Sequence, residues 1–243
     1  MTKSATRSRS GFLSAIACLT HLSLFAFATA QFAGAASPGE KSDCTTFGMH
    51  LVAGPPERIH LRGFSLLTPG GGKWCTRGPN MQNTEIFLYK ATVYGRTAAE
   101  VTAEEKAQSF YLRARLMGVP ESVTVNIEAL LRFTKSLRDQ YHVGRFTLMS
   151  FDAVRNDLPG FQCVRRGLSQ LELENPIYPG LDLIIEAVDY LCLNPGSANT
   201  VIEVEYSERY IEDRRPGPSL MMELAPELEP VLQSLRVETD ALR

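Results

Sequence analysis

The segments FQCVRRGLSQLEL (residues 161–173), LIIEAVDYLCL (183–193) and VIEVEYS (201–207) decide the architecture of this chain. All are dense in aliphatic and aromatic residues, and turn residues such as Asn175-Pro176 and Pro179-Gly180 separate the first two. In the third, Val204 and Tyr206 alternate with Glu203, Glu205 and Ser207, the two-residue period of a strand with unlike faces. Just upstream, Phe146, Leu148 and Ser150 alternate with Thr147, Met149 and Phe151. Four strand patterns in succession, with no helix between them, predict antiparallel neighbours.

Toward the N-terminus, Ile59, Leu61 and Gly63 alternate, and Phe64 and Leu66 follow out of phase, which predicts a bulge or register change at Gly63. Pro69-Gly70-Gly71-Gly72-Lys73 reads as a turn leading to a short strand, Trp74-Cys75-Thr76, and Ile86 to Tyr94 reads as another. Two helices are expected next. Thr102 and Glu105 make a capping box, and Phe110, Ala114 and Met117 follow at helical spacing up to Gly118-Val119-Pro120. Ser122 opens a longer helix whose apolar stripe is Ile127, Leu130, Leu131, Leu137 and Tyr141, with a stop near Gly144. A last helix, from about Ser219 to Leu235, holds Pro226 and Pro230, which split or kink it. The expected fold is α+β: a mainly antiparallel sheet with two central helices and a C-terminal helix packed on it, not a doubly wound parallel sheet.

The first thirty residues read as an export signal. Lys3, Arg7 and Arg9 precede an apolar stretch from Gly11 to Ala30 that ends in Ala28-Thr29-Ala30, and Gly34-Ala35-Ala36 offers a second small-residue exit. Thr20, His21 and Ser23 interrupt the apolar stretch, so it is weak as a spanning helix. An uncleaved anchor is the alternative. Ala15-Ile16-Ala17-Cys18 is a poor lipid-attachment motif, with Ala where Leu is usual. Ser8 separates Arg7 from Arg9, so the twin-arginine signal is absent. Residues 1–30 are therefore expected to be a signal peptide, 31–57 a flexible tether, and 58–243 a single domain with order beginning near Arg58. The mature chain would lie in the periplasm or outside the cell, with no transmembrane segment.

Composition agrees with such a domain. The 243 residues are 44% hydrophobic and 21% charged, as ordinary globular chains are. Loss of three basic residues with the leader takes 25 to 22 against 27 acidic ones, a balance of −5. A mildly acidic domain is poorly suited to nucleic acid, which needs clustered positive charge. Of five cysteines, Cys18 leaves with the signal, and four remain for an oxidising compartment. Four cysteines allow three pairings. Cys163 and Cys192 sit in neighbouring expected strands and suit one bridge, and Cys44 and Cys75 flank the first hairpin and suit the other. No C-x-x-C or nearby His pair has zinc-ligand spacing.

Phe64-Ser65-Leu66-Leu67-Thr68-Pro69, followed by Gly72-Lys73-Trp74, resembles the opening of the PsbP-like α/β/α sandwich family. Leu232-Gln233-Ser234-Leu235-Arg236-Val237 resembles the same family's final helix. The insert Phe161–Leu193, with its two cysteines, is not part of the family pattern. The opening, with its Trp-Cys, is also similar to that of exported bacterial proteins. The resemblance implies an α/β/α sandwich and a role in binding partners or in assembly, and it carries no catalytic residue.

Tempting chemical motifs fall short. Pro69-Gly70-Gly71-Gly72-Lys73 lacks the Ser or Thr after Lys that a phosphate loop requires; Trp74 stands there. Cys75 with His60 or His142 would need proximity that no spacing provides, and Gly63-Phe64-Ser65-Leu66-Leu67 lacks the second Gly of a hydrolase elbow. Glu203 and Glu205 share a strand face, with Glu186, Asp189 and Glu208 nearby in sequence. The group could bind calcium or act as acid and base, but a solvated polar face is the expectation. Arg165-Arg166 and Arg214-Arg215 read as surface charge. No catalytic, cofactor or metal site is expected. The expected role is non-enzymatic binding, assembly or envelope association with a protein or small-molecule partner; the alternative is a secreted hydrolase or other enzyme built from scattered residues.

Overall fold

The computed structural model describes residue 44 and residues 49–52, 54–70, 74–90, 102–215 and 217–238, all in one compact unit, Ser37–Arg243. The expected leader, most of the expected tether, residues 71–73 and the end of the strand read to Tyr94 lie outside the described residues.

In chain order the strands are β1 (His50–Val52), β2 (Arg58–Leu61), β3 (Phe64–Leu67), β4 (Trp74–Pro79), β5 (Glu85–Lys90) and β6 (Ser109–Gly118). They continue as β7 (Phe146–Arg155), β8 (Cys163–Glu172), β9 (Leu183–Leu193), β10 (Thr200–Ile211) and β11 (Arg236–Val237). Eight form one sheet in the order β1-β4-β5-β6-β10-β9-β8-β7, and a smaller sheet runs β11-β3-β2. Every neighbouring pair is antiparallel. The helices are α1 (Ala103–Ala107), α2 (Glu121–Thr124), α3 (Ile127–Ser136), α4 (Leu220–Glu223) and α5 (Ala225–Gln233), with a 3-10 turn at Arg138–Tyr141. The expected α+β class, a mostly antiparallel sheet with few helices, is the one that forms.

Alternation along β10 separates two packed layers. Val201 joins Val164, Leu191 and Ala153 under Val123, Ile127 and Leu130 of α2 and α3. Its neighbour Ile202 faces the other way, with Val204, Leu112 and Trp74, under Leu228 and Val231 of α5. Trp74 is fully buried, meets Phe110 edge-on at 6.0 Å and donates its indole N–H to Glu227 of α5 at 3.0 Å.

Four expectations are corrected. The capping box at Thr102 and Glu105 forms, with both hydrogen bonds, but its helix ends at Ala107. The residues read as its continuation are β6, at the middle of the sheet. Phe110, Leu112 and Ala114 are buried at a period of two, and that alternation outweighs the helical spacing of 110, 114 and 117. The long helix read from Ser122 breaks at Asn126, whose side chain caps α3 by accepting from the Ala129 N–H. Gly63 is no bulge: with φ of +84° it completes a two-residue turn after Arg62, pairing Leu61 with Phe64. Order starts before Arg58, because β1 pairs with β4 and Cys44 is bridged to Cys75 within the stretch read as tether.

Candidate functional site

The centre of the large sheet carries a row of charge. Directly opposed residues run Arg166 on β8, Asp189 on β9, Glu205 on β10 and Arg113 on β6. One step along, Glu203 on β10 faces Arg115 on β6. These side chains stand on the α3 side of the sheet, since they share parity with Val201 and Leu191. The expected solvated strand face is therefore wrong. Asp189 is 0% exposed, Glu203 2% and Glu205 6%. At these central strands the sheet is covered on both faces, so the three carboxylates are sealed inside.

Burial of three carboxylates requires compensation. Nε and Nη2 of Arg166 both reach Asp189 Oδ2 at 2.8 Å, and Nη2 lies 3.7 Å from Glu203. Arg113 and the Tyr111 hydroxyl donate to the two oxygens of Glu205, and Arg115 donates to Glu203. Arg113 also stands 3.5 Å from Glu203. Tyr141, from the 3-10 turn, places its ring 5.3 Å from the Arg166 guanidinium and 5.9 Å from Phe151. Three guanidiniums match three carboxylates.

The acids differ in their ionisation. Burial pushes Asp189 up to about 7, against the pull of Arg166, with Glu205 and Glu203 adding repulsion. Burial also pushes Glu203 up, but Arg115 and Arg113 outweigh it and hold the group below its ordinary value. Tyr111 is raised well above the usual phenol range by burial and by Glu205.

Asp189, Glu203 and Glu205 each bring an oxygen to within 4.8 Å of the others, a spacing that could hold a cation. Each of the three carboxylates already accepts from a guanidinium, and Glu205 from Tyr111 as well, so three oxygens are not left free to ligate a cation. We therefore assign no metal there. Glu186 and Glu208, grouped with these acids by sequence, oppose each other on the other face. Glu208 is fully buried and accepts from Gln108, Ser219 and the Met221 N–H at 3.0, 3.1 and 3.3 Å. Arg215 reaches Glu186 at 2.7 Å and stacks 3.8 Å from the Tyr210 ring.

Other candidates are dispersed. Cys75 is bonded to Cys44, and Cys163 to Cys192, its direct register partner. His60 lies on β2 of the small sheet with Glu238, and His142 is exposed after the 3-10 turn. The residue after Lys73, Trp74, begins β4, a strand, and residues 71–73 of the Gly-rich segment lie outside the described residues. Strand alternation splits Arg165 from Arg166: the first pairs with Asp152 at 3.3 Å, whereas the second is 6% exposed. An open cavity of about 420 Å³, lined by Thr124, Phe161, Gln162, Asn194 and Ser197 among others, holds no titratable side chain. Sequence reading took Arg166 for surface charge, which its burial corrects, and missed Arg113, Arg115 and Tyr111, although alternation along β6 would have put those three on one face.

No family model matches the chain, and no curated protein does. Solved structures similar to it include the Ran-binding protein Mog1p of Saccharomyces cerevisiae, at 11% identity, covering 79% of this chain and 100% of that one, with a TM-score of 0.44. LpqN, involved in cell envelope biogenesis in Mycobacterium tuberculosis, matches at 10% identity over 82% of this chain and 99% of its own, with a TM-score of 0.40. Cyanobacterial PsbP from Synechocystis matches at 15% identity over 76% and 94%, with a TM-score of 0.38. Among the described residues no helix is long and apolar enough to cross a membrane.

Proposed function

We propose that the chain is exported to an oxidising compartment and works there, in the periplasm or outside the cell, as a non-enzymatic binding, assembly or envelope-associated protein. The observation that carries this reading is the pair of bridges, Cys44–Cys75 and Cys163–Cys192, which engage every cysteine outside the expected leader. Reducing cytosol seldom leaves such bonds intact. Support for a non-catalytic role comes from where the charged groups lie. The acids and bases that a mechanism would recruit are sealed in the sheet and engaged with one another, whereas the open cavity is lined by neutral residues.

The test is expression of the full chain in a bacterial host, followed by fractionation, N-terminal sequencing and thiol titration. Export predicts a mature protein starting after Ala30 or Ala36, outside the cytosol and without free thiol. An uncut cytosolic chain with free thiols would refute the reading.

A further inference from the structure

We propose that Asp189 and Glu205 share a proton across the β9–β10 pair, so that the sheet contains a buried proton-operated switch. The two carboxylates are direct register partners in an antiparallel ladder, where like charges oppose each other at close range. Both oxygens of Glu205 already accept from β6, one from Tyr111 and one from Arg113. Asp189 is engaged on one side only. Oδ2 takes both Arg166 contacts, and among the described residues the buried Oδ1 has no hydrogen-bond partner. A proton on Oδ1 relieves both defects: the neutral carboxyl donates to the Glu205 carboxylate, and one buried charge disappears.

The groups around Asp189 are Arg166 from β8, Glu203 and Glu205 from β10, Arg113, Arg115 and Tyr111 from β6, and Tyr141 from the 3-10 turn. Arg115 and Arg113 hold Glu203 ionised, which leaves Asp189 as the proton's site. Native Asp189 keeps its proton up to about pH 7, whereas the unfolded chain releases it in the ordinary aspartate range. Between those values the native state binds more protons, so this group's contribution to stability falls as pH rises, reaching its lower plateau above about 7. From pH 5 to pH 7 the Asp189 contribution raises the unfolding constant on the order of tens-fold.

The test uses the folded mature protein with its aspartate side-chain carboxyl carbons labelled with 13C, followed by NMR against pH. One aspartate is expected to titrate near neutrality, and Glu205→Gln, which removes the anionic acceptor, should move its midpoint downward. If every aspartate in the wild-type protein titrates in the ordinary carboxylate range, the switch is overturned. If the near-neutral midpoint is unmoved in Glu205→Gln, burial alone sets it and the shared proton is overturned. The wild-type measurement requires no variant to fold.

Discussion

Arg166 and Asp189 are tolerable inside the sheet only together. Two guanidinium nitrogens converge on one carboxylate oxygen, with the Tyr141 ring against the cation. Removing one partner strands the other charge in a poorly solvated place. Above about pH 7, where Asp189 is ionised, Arg166→Met should therefore destabilise the protein by about 3–5 kcal/mol, read from the urea unfolding midpoint. The double variant Arg166→Met with Asp189→Leu should recover most of that loss, because apolar replacement of a whole buried pair is often neutral or better. A double variant as unstable as the single one would show that the pair itself supplies net stability. Thus the burial is driven by the fold, and the arginines make it bearable.

Among the elements, β6 and α3 show how local signals compete. The Thr102 capping box starts a helix that lasts one turn, because burial at every second residue from Phe110 on makes a strand between β5 and β10. Asn126 ends one helical stretch and begins the next by satisfying the Ala129 N–H at 2.8 Å. Asn126→Ala should cost about 1 kcal/mol, measured by thermal or urea unfolding, with the α3 amides exchanging faster with solvent. Truncating Phe110, fully buried against Trp74, should cost about 3–5 kcal/mol. The antiparallel strands β7 to β10 were legible from their pattern. The partition of 102–118 into a turn of helix and a strand was not, since Phe110 and Ala114 fit both periods.

Over the entire molecule, the disulfides fasten two distant places. Cys44–Cys75 holds the chain before β1 to β4, over a separation of 31 residues. Cys163–Cys192 joins β8 and β9 over 29. Loop closure predicts that opening either bond costs about 3.5 kcal/mol through the unfolded chain. The expected observation is a clear fall in Tm for the paired Cys44→Ser and Cys75→Ser replacement. Unchanged stability would mean that β1 and the residues before it add little to the fold.

The amino-acid order alone determined that strands would follow one another antiparallel, that turns would fall at Asn175-Pro176 and Pro179-Gly180, and that four cysteines stood available for bridging. These depend on period and local backbone preference, which a linear reading contains. Only the tertiary structure decided that Glu203, Glu205 and Asp189 are buried, that three arginines from two other strands meet them, and that Glu186 and Glu208 turn the opposite way. Whether a strand face meets water depends on what packs over it, and which charges meet depends on register between strands distant in sequence.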